Sequence, residues 1–210
     1  RLEKVSYEEM LEMASLGAKV LQTRSVELAM ARQVPVRVLS SFIEPDADGV
    51  LPEKSGTLIC DEEEIVEKRI VSGVTMSRDE ARITLLGLSD RVEAPADVFT
   101  RLAEANVNVD MIVQSQARTE GAVNLTFTTG RRDAPRAAEL MRAAQQEIGF
   151  EELRVDEDVA KVSVIGVGMR SHAGVAQTMF RALADKGIKF QAISTSEIKI
   201  SVLIDAAYAE

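Results

Sequence analysis

The sequence predicts an α+β protein with two ferredoxin-like domains in tandem, and an internal repeat is the first observation behind that prediction. Residues 83–91, ITLLGLSDR, reappear as residues 162–170, VSVIGVGMR, and each copy runs into a helical pattern and then a second β-like segment. The second observation is size, because 210 residues, 46% of them hydrophobic, can build two small cores. We therefore expect two related domains, preceded by a segment outside the repeat.

The segment before the repeat has apolar residues at helical spacing over residues 6–33. Ser6 and Glu9 have the spacing of a capping box at the start of that pattern. Gly17 should divide the pattern into two helices. Residues 34–41, VPVRVLSS, then predict a short buried strand. We expect a helix–helix–strand piece that lacks the rest of its sheet.

A linker is predicted after this piece, because residues 44–55 are rich in proline, glycine and aspartate. The predicted linker continues through the short apolar run GTLIC at residues 56–60 and the acidic residues 61–64. We interpret the acidic residues as a solvated connector. We place the end of the linker at residue 68, just before the next β-rich run. A boundary between structural units is therefore expected here.

The first copy of the repeat predicts the order β-α-β-β-α-β of the ferredoxin-like fold. Asp133 can cap the second helix, and a proline in the first turn of that helix is tolerated. The predicted elements are a strand at 81–88, a helix at 94–104, strands at 107–113 and 121–129, a helix at 134–148 and a strand at 150–155.

The second copy supplies fewer elements: a strand at 161–167, a helix at 174–186, and strands at 188–194 and 197–204. Its second helix and last strand have no counterpart in the sequence. A sheet without that strand would expose unpaired backbone groups. A β-rich run at residues 69–76 can take the place of the missing last strand. The polar residues 77–80 are expected to form a tight connection between this run and the first copy. The first copy would then be inserted in the second.

The predicted domain organisation follows from these elements. In chain order it comprises the piece before the linker (1–43), the linker (44–68), the strand completing the second domain (69–77), the first domain (78–158) and the incomplete second domain (159–210). The chain begins without an initiator methionine, so we expect a fragment of a longer protein.

Composition excludes several classes of partner. A net charge of −9, from 34 acidic and 25 basic residues, repels phosphate backbones and anionic membranes. No apolar run reaches the roughly 18 residues of a membrane helix, and the N-terminus has no signal-peptide pattern. The single cysteine, Cys60, cannot form an internal disulfide, and no cysteine–histidine cluster suits zinc. We expect a cytoplasmic protein with no nucleic-acid, membrane or metal partner.

Several motifs, taken in order, resemble the aspartate kinases. Residues 17–29 and 34–42 are similar to the end of the catalytic domain of that family. Residues 56–59, 109–114 and 193–204 resemble its paired ACT regulatory domains. The resemblance extends over essentially the whole chain, and it makes the first segment a remnant of an α/β amino-acid-kinase domain.

The resemblance implies that the parent protein uses ATP, with magnesium, to phosphorylate the β-carboxylate of aspartate. It also implies feedback inhibition by threonine, lysine or both, and a homodimer or higher oligomer formed through the ACT domains. Because nearly all of the catalytic domain lies outside this sequence, we expect the fragment to bind effectors, to need no cofactor and to be inactive. A non-catalytic ACT-type amino-acid sensor or oligomerisation module of another protein is the alternative.

A free amino acid offers a carboxylate and an ammonium group, and the unpaired amides at a helix N-terminus suit the carboxylate. The resemblance places the first effector site on the loop at residues 88–95 and on the next strand. The matching residues are Ser89, Asp90, Val92, Ala94, Asn108, Val109, Asp110 and Gln114. The loop lacks the usual glycine, and Glu93 adds negative charge, so this site should be weakened or altered. On the residues alone, Asp90 and Asp110 equally suit capping or solvating a loop.

The second copy keeps a glycine in the corresponding loop, which has the sequence MRSHAGV at residues 169–175. By resemblance, the second effector site comprises Met169, Ser171, His172, Gly174, Val175, Phe190, Gln191, Thr195, Ser196 and Glu197. Gln191 stands where the first copy has Asp110, so no carboxylate occupies that strand position. We therefore expect two unequal effector sites.

Three further motifs suggest a catalytic or nucleotide-binding role, and each also has a purely structural explanation. His172 has no evident nucleophile and acid partner, which favours a structural loop histidine over a catalytic one. Gly166 and Gly168 follow a strand, but the third glycine of a dinucleotide-binding motif is misplaced, at Gly174. Lys19 lies in a Gly-Ala-Lys motif that approaches the nucleotide phosphates in aspartate kinases. On the residues alone it is a surface lysine.

Overall fold

The computed structural model describes residues 2–44, 55–65, 69–170, 172 and 174–209. The chain divides into two compact units. Unit 1 comprises Arg1–Met76, Ser163–Arg181 and Thr195–Ile200, and unit 2 comprises Ser77–Val162, Ala182–Ser194 and Ser201–Glu210.

Unit 1 contains a three-stranded sheet of order β1-β3-β2. Its strands are β1 (Lys4–Ser6), β2 (Val36–Val38) and β3 (Thr57–Cys60), with β1 parallel and β2 antiparallel to β3. The strand predicted over residues 34–41 is present but shorter, as β2. The expectation that this piece lacks the rest of its sheet was wrong, because β2 pairs with β3, whose residues were assigned to the linker. Strands this short contain too few alternations to be recognised in a sequence.

Helices α1 (Tyr7–Ser15) and α2 (Thr23–Arg32) share a core with this sheet. The predicted capping box is confirmed, because the Glu9 amide donates to Ser6 Oγ at 3.1 Å and the Ser6 amide donates to Glu9 Oε2 at 3.2 Å. Gly17, at φ 109°, lies between the two helices, as predicted. The buried members of the core include Val5, Tyr7, Met10, Met13, Leu16, Val26, Ala29 and Ile59.

Most of a six-stranded sheet lies in unit 2, with strand order β5-β6-β4-β7-β9-β8. The strands are β4 (Gly73–Ser89), β5 (Val109–Gln116), β6 (Ala122–Thr129), β7 (Glu152–Ile165), β8 (Phe190–Thr195) and β9 (Lys199–Asp205). The helices that follow these strands are α3 (Ala94–Glu104), α4 (Ala134–Ala143), α5 (Gln145–Ile148) and α6 (Val175–Asp185).

The strand order repeats the ferredoxin-like plan twice. In the first copy, β4, β5, β6 and β7 lie in the order β7-β4-β6-β5. In the second copy, β7 is the first strand, and β4-β7-β9-β8 is the same arrangement with β4 in the place of the missing last strand. The predicted fold class is therefore confirmed. The boundaries assigned to the two domains remain a prediction.

Two long strands differ from the prediction. β4 runs unbroken for 17 residues, where a tight connection was expected at residues 77–80, and β7 runs for 14, where two shorter strands were expected. Polar side chains continue the extended backbone because they find partners in unit 2. Arg78 donates to the carbonyl of Ala209, and Arg82 forms an ion pair with Asp156 at 3.2 Å. The polar character of residues 77–80 therefore led to the wrong prediction of a turn.

The core of the first copy lies between its sheet and its helices. The rings of Phe99 and Phe127 meet edge to face there, with 5.9 Å between their centroids. Other buried members are Ile83, Leu85, Leu88, Val98, Leu102, Leu125, Met141 and Ile148. This packing fixes the position of α3 and of the loop that precedes it.

Candidate functional site

The loop from β4 to α3 is anchored by its backbone. The Ser89 amide donates to the Gly149 carbonyl at 2.8 Å, and the Asp90 amide donates to the Gly121 carbonyl at 3.1 Å. The Asp90 side chain is exposed. No side chain caps α3, whose N-cap residue is Glu93. The positive end of the α3 dipole is therefore not neutralised by a capping side chain.

The lack of a glycine does not strain this loop. Glu93 has φ −79° and ψ −21°, which any residue adopts. Among the described residues, the non-glycine residues with positive φ are Gln33 and Asn106, far from the loop in sequence. Val92 is 91% exposed and Ala94 is fully buried. What distinguishes the loop is therefore the charge of Glu93 and not a restricted backbone.

The strand residues assigned to the first site begin at the opposite end of the sheet. In the register of β4, β6 and β5, Val109 is level with Ala81, whereas the loop begins at Ser89. At about 3.3 Å per residue, these levels are roughly 26 Å apart. Gln114 is level with Leu85, about halfway along. One amino acid cannot contact both the loop and the start of β5 in the same chain.

Asp110 already has a partner within unit 2. Lys161 Nζ lies 2.5 Å from Asp110 Oδ2 and 2.5 Å from Glu80 Oε1, and the Lys161 and Glu80 side chains are 6% and 9% exposed. Burial raises the pKa of Glu80. Burial also opposes the charged form of Lys161, but its hydrogen bonds to Asp110 and Glu80 outweigh that effect and raise its pKa. Asn108, at the start of the strand, is exposed, and its carbonyl accepts a hydrogen bond from the Thr129 hydroxyl at 2.7 Å.

Neither Lys161 nor Glu80 was predicted. The sequence carries no signal for this burial, because the apolar alternation of β7 falls on Val162 and Val164 and puts Lys161 on the other face with Ser163. The partner of Lys161 was hidden in the residues interpreted as a turn. A buried charge of this kind requires an opposite charge nearby.

Close packing in unit 1 accounts for Gly166 and Gly168. A Cβ atom on Gly166 would clash with the backbone carbonyl of Ile70, and one on Gly168 would clash with that of Arg69. The Ser72 amide donates to the Ile165 carbonyl at 2.8 Å beside them. The two glycines therefore let the end of β7 approach the backbone that leads into β4, without any role for a phosphate.

Arg170 joins the loop after β7 to two other segments of unit 1. Its guanidinium lies 3.1 Å from Glu62 Oε2 and 3.2 Å from Glu197 Oε2. Glu62 begins a 3-10 turn in the acidic run, and Glu197 lies in the turn between β8 and β9. Sequence reasoning gave the acidic run no partner. The structure gives it one in Arg170.

The glycine of the second loop has a conformational role. Gly174 has φ 105°, and no described atom lies within 4 Å of where its Cβ would be. A side chain there would therefore strain the backbone and not clash. His172 Nδ1 lies 2.9 Å from the Gly168 carbonyl, which turns the ring back onto the loop. α6 begins directly after Gly174, at Val175.

The other residues assigned to the second site fall into both units. In unit 1, Met169 and Val175 are half-buried, and Thr195, Ser196 and Glu197 are exposed in or beside the turn between β8 and β9. In unit 2, Phe190 and Gln191 begin β8, and both are exposed. Ser171 lies outside the described residues.

The remaining predictions concern nucleotides, metals and membranes. Lys19 is exposed in the turn between α1 and α2, and it forms no ion pair with a described residue. The described part of the chain holds no group of three or more His, Cys, Asp or Glu side chains arranged for a metal ion. Among the same residues, no helix combines the length and the apolar character that crossing a membrane requires.

Both copies of the repeat match a known family. The ACT domain family matches residues 82–145 and, separately, residues 162–210. Each match lies within one copy of the repeat.

Relatives over longer stretches are aspartate kinases. An aspartokinase of Pseudomonas aeruginosa is 49% identical over 212 residues, which include all of this chain and 49% of the relative. The chain thus spans about half the length of the curated relatives it matches. A solved structure of aspartokinase alpha and beta subunits is 42% identical, with a TM-score of 0.61, over 66% of this chain and 90% of that chain. The solved regulatory subunit of aspartate kinase from Thermus thermophilus, in a ligand-free form, is 39% identical, with a TM-score of 0.63, over 67% of this chain and 92% of that chain.

Proposed function

This chain belongs to the aspartate kinase family, and on that premise we propose that it binds threonine, lysine or both and thereby imposes feedback inhibition on an aspartate kinase. The observation that carries the proposal is the pair of ACT matches, one in each copy of the repeat. Binding of an effector shifts the population of active and inhibited kinase conformations by the difference in its affinity for the two.

The first loop supplies the chemistry for an amino acid. The uncapped start of α3 favours the effector carboxylate, and the exposed Asp90 side chain offers an oxygen to the ammonium group. Because the start of β5 lies roughly 26 Å away along the sheet, we propose that Asn108, Val109, Asp110 and Gln114 serve the loop of a second copy. The first site would then be complete only in an oligomer.

An edge strand supports that assembly. β5 is at one edge of the six-stranded sheet, so one side of its backbone has no strand partner within the described chain. Such an edge is a template for pairing with another chain. We propose a homodimer or a higher oligomer in which β5 takes part in the contact.

The second loop supplies comparable groups within unit 1. Gly174 gives the backbone conformation with which α6 begins, and Glu197, 81% exposed, offers a carboxylate to the effector ammonium. Arg170 forms an ion pair with that carboxylate at 3.2 Å. The two loops differ in glycine and in charge, so we propose unequal affinities, with the second site the stronger.

For the parent protein we propose phosphoryl transfer from ATP, bound with magnesium, to the β-carboxylate of aspartate. Lys19 is exposed and has no competing ion pair with a described residue, which suits a cation near nucleotide phosphates. This chain alone is proposed to need no cofactor. Cys60 is buried and unpaired, as is usual in a reducing compartment, and we propose a cytoplasmic location.

Titration calorimetry of the 210-residue chain tests the proposal. We expect heat of binding and a rise in melting temperature with threonine, lysine or both together, and neither effect with alanine. Absence of both signals with threonine and lysine, singly and combined, would contradict an effector-binding role. Kinase assays with the parent protein would then show whether the same amino acid inhibits it.

A further inference from the structure

A buried carboxylate on α1 is bonded to the loop of the second effector site. Glu9 is 2% exposed, and its Oε1 accepts hydrogen bonds from the Val167 amide at 2.8 Å and from the Ser72 hydroxyl at 2.6 Å. Its Oε2 accepts the Ser6 amide that completes the capping box. All four residues belong to unit 1. The carboxylate thus fixes the point at which the 3-10 turn Val167–Arg170 begins.

A second carboxylate on the same helix is bonded to the other turn of the site. Glu12 lies three residues after Glu9, and its Oε2 is 3.1 Å from Lys199 Nζ. The two side chains are 27% and 19% exposed. The Lys199 carbonyl accepts the Ser196 amide at 2.8 Å and so closes the turn that carries Glu197. Glu12 therefore holds the start of β9.

The two turns are also tied to each other, because Arg170 bonds Glu197 at 3.2 Å. We call the turns at 167–170 and 195–199 the two walls of the second site. Each wall has an anchor on α1, and the Arg170–Glu197 ion pair joins the two walls. Beside the first wall, the Gly166 amide also donates to the Ile198 carbonyl of the second wall at 2.9 Å. A displacement of either wall therefore has to break a charge-assisted hydrogen bond or move α1.

A buried carboxylate is stable only while its oxygens keep their donors. Glu9 has three donors from three separate segments, so losing the Val167 amide leaves charge buried with fewer partners. This makes the contact sensitive to small shifts of the loop. The exposed ion pairs elsewhere in the chain lack that sensitivity, because water replaces a lost partner.

We propose that Glu9 and Glu12 are positioning residues that hold the two walls of the second effector site and transmit its occupancy to α1. The inference rests on the proposed function, because it takes the second loop to bind an amino acid. α1 lies in the segment that resembles the end of the kinase domain. Thermodynamic linkage makes the effect reciprocal. A change in the conformational equilibrium of α1 alters effector affinity by the same factor by which the effector alters that equilibrium.

The first arm of the test needs no ligand. Amide hydrogen exchange is compared in the unaltered chain, Glu9→Gln, Glu12→Gln and the control Glu8→Gln. Glu8 is on the same turn of α1, and its Oε2 has no hydrogen-bond partner among the described residues. We expect exchange about tenfold faster at 167–170 in Glu9→Gln and at 195–199 in Glu12→Gln, with the control unchanged. Unchanged exchange at both walls would overturn the proposal.

The second arm measures coupling. Calorimetric affinity for threonine and lysine should fall about tenfold or more in Glu9→Gln and Glu12→Gln, and by less than about twofold in Glu8→Gln. The charge swap Glu12→Lys with Lys199→Glu should restore part of the loss. Variants that bind as tightly as the unaltered chain would overturn this proposal and leave the proposed function intact.

Two outcomes separate the proposals further. If the unaltered chain binds neither amino acid, the proposed function and the coupling both fail, and exchange without ligand still decides whether Glu9 and Glu12 hold the walls. If Glu9→Gln does not fold, Ser72→Ala removes one donor and keeps the Val167 contact. That variant should show a smaller loss of affinity, and no loss would count against the role of Glu9.

Discussion

Lys161 Nζ and Asp110 Oδ2 lie 2.5 Å apart, although the two residues are 51 positions apart in the chain. An acid that the resemblance assigns to an effector therefore has a cation of its own. Lys161 also neutralises Glu80, whose side chain is 9% exposed. An effector ammonium that approaches Asp110 has to compete with this pair.

Replacing Lys161 should be strongly destabilising. In Lys161→Met, Glu80 stays buried with its cation removed, and loss of one partner of a buried ion pair costs about 3–5 kcal/mol. The free energy of unfolding in urea measures the effect. Lys186→Met, at an exposed position, is the matched control and should change it by less than about 0.5 kcal/mol. A similar small change in both variants would refute a structural role for Lys161.

The same pair should give a characteristic pH dependence. Because the pKa of Lys161 is raised in the folded chain, its contribution is complete below the unfolded value of 10.5 and is lost as pH rises through the higher folded value. The difference in unfolding free energy between the unaltered chain and Lys161→Met should be constant from about pH 7 to about pH 9 and shrink only at higher pH. A difference that already declines near neutral pH would contradict the raised pKa.

Gly166→Ala should destabilise unit 1. The added methyl group would clash with the Ile70 carbonyl, and overpacking of this kind costs about 1–3 kcal/mol. Gly130→Ala is the control, because the nearest described atom to its Cβ is 3.9 Å away and its φ is not in the left-handed region. Chemical unfolding curves of both variants measure the effect. Equal stabilities would show that the backbone near Ile70 yields without cost.

Removing the charge of Glu93 should strengthen the first site. Glu93 is the N-cap residue of α3, where its carboxylate opposes that of an incoming amino acid. We expect Glu93→Gln to tighten threonine or lysine binding about two- to fivefold, from the size of charge effects at helix ends. Glu104→Gln, at the far end of α3, should leave the affinity unchanged. Weaker binding in Glu93→Gln would mean that Glu93 itself contacts the effector.

A charge on the edge strand should weaken the oligomer. Ile112 lies on β5 and is 50% exposed, and a lysine there opposes edge-to-edge pairing. Sedimentation velocity should show Ile112→Lys shifted toward monomer, with a lower effector affinity at the first site. Leu28→Lys, at a 61% exposed position on α2, should sediment as the unaltered chain does. A monomeric unaltered chain at all concentrations would contradict the assembly.

Local signals in the sequence were reliable where one short segment determines the outcome. Ser6 and Glu9 predicted a capping box from their spacing, and both of its hydrogen bonds are present. The last three elements, α6, β8 and β9, begin and end within two residues of their predicted bounds. The repeat also predicted the fold class, because the same succession of strands and helices in both copies indicates the same strand order in both.

Long-range pairing was what the sequence concealed. Residues 77–80 carry four polar side chains and suggested a turn, but Glu80 is buried against Lys161, far along the chain. Glu9 likewise has two partners, Ser72 and Val167, that no local pattern relates to α1. The residues of the first site were assigned by resemblance. Their separation along the sheet emerged only from the strand register.

The sharing of β4 and β7 by both copies has a consequence for how such a protein changes over time. A cut in the gene between residues 158 and 159 would divide β7 within its length, and one between residues 77 and 78 would divide β4. Recombination that removes or exchanges one copy therefore also removes part of a strand that the other copy needs.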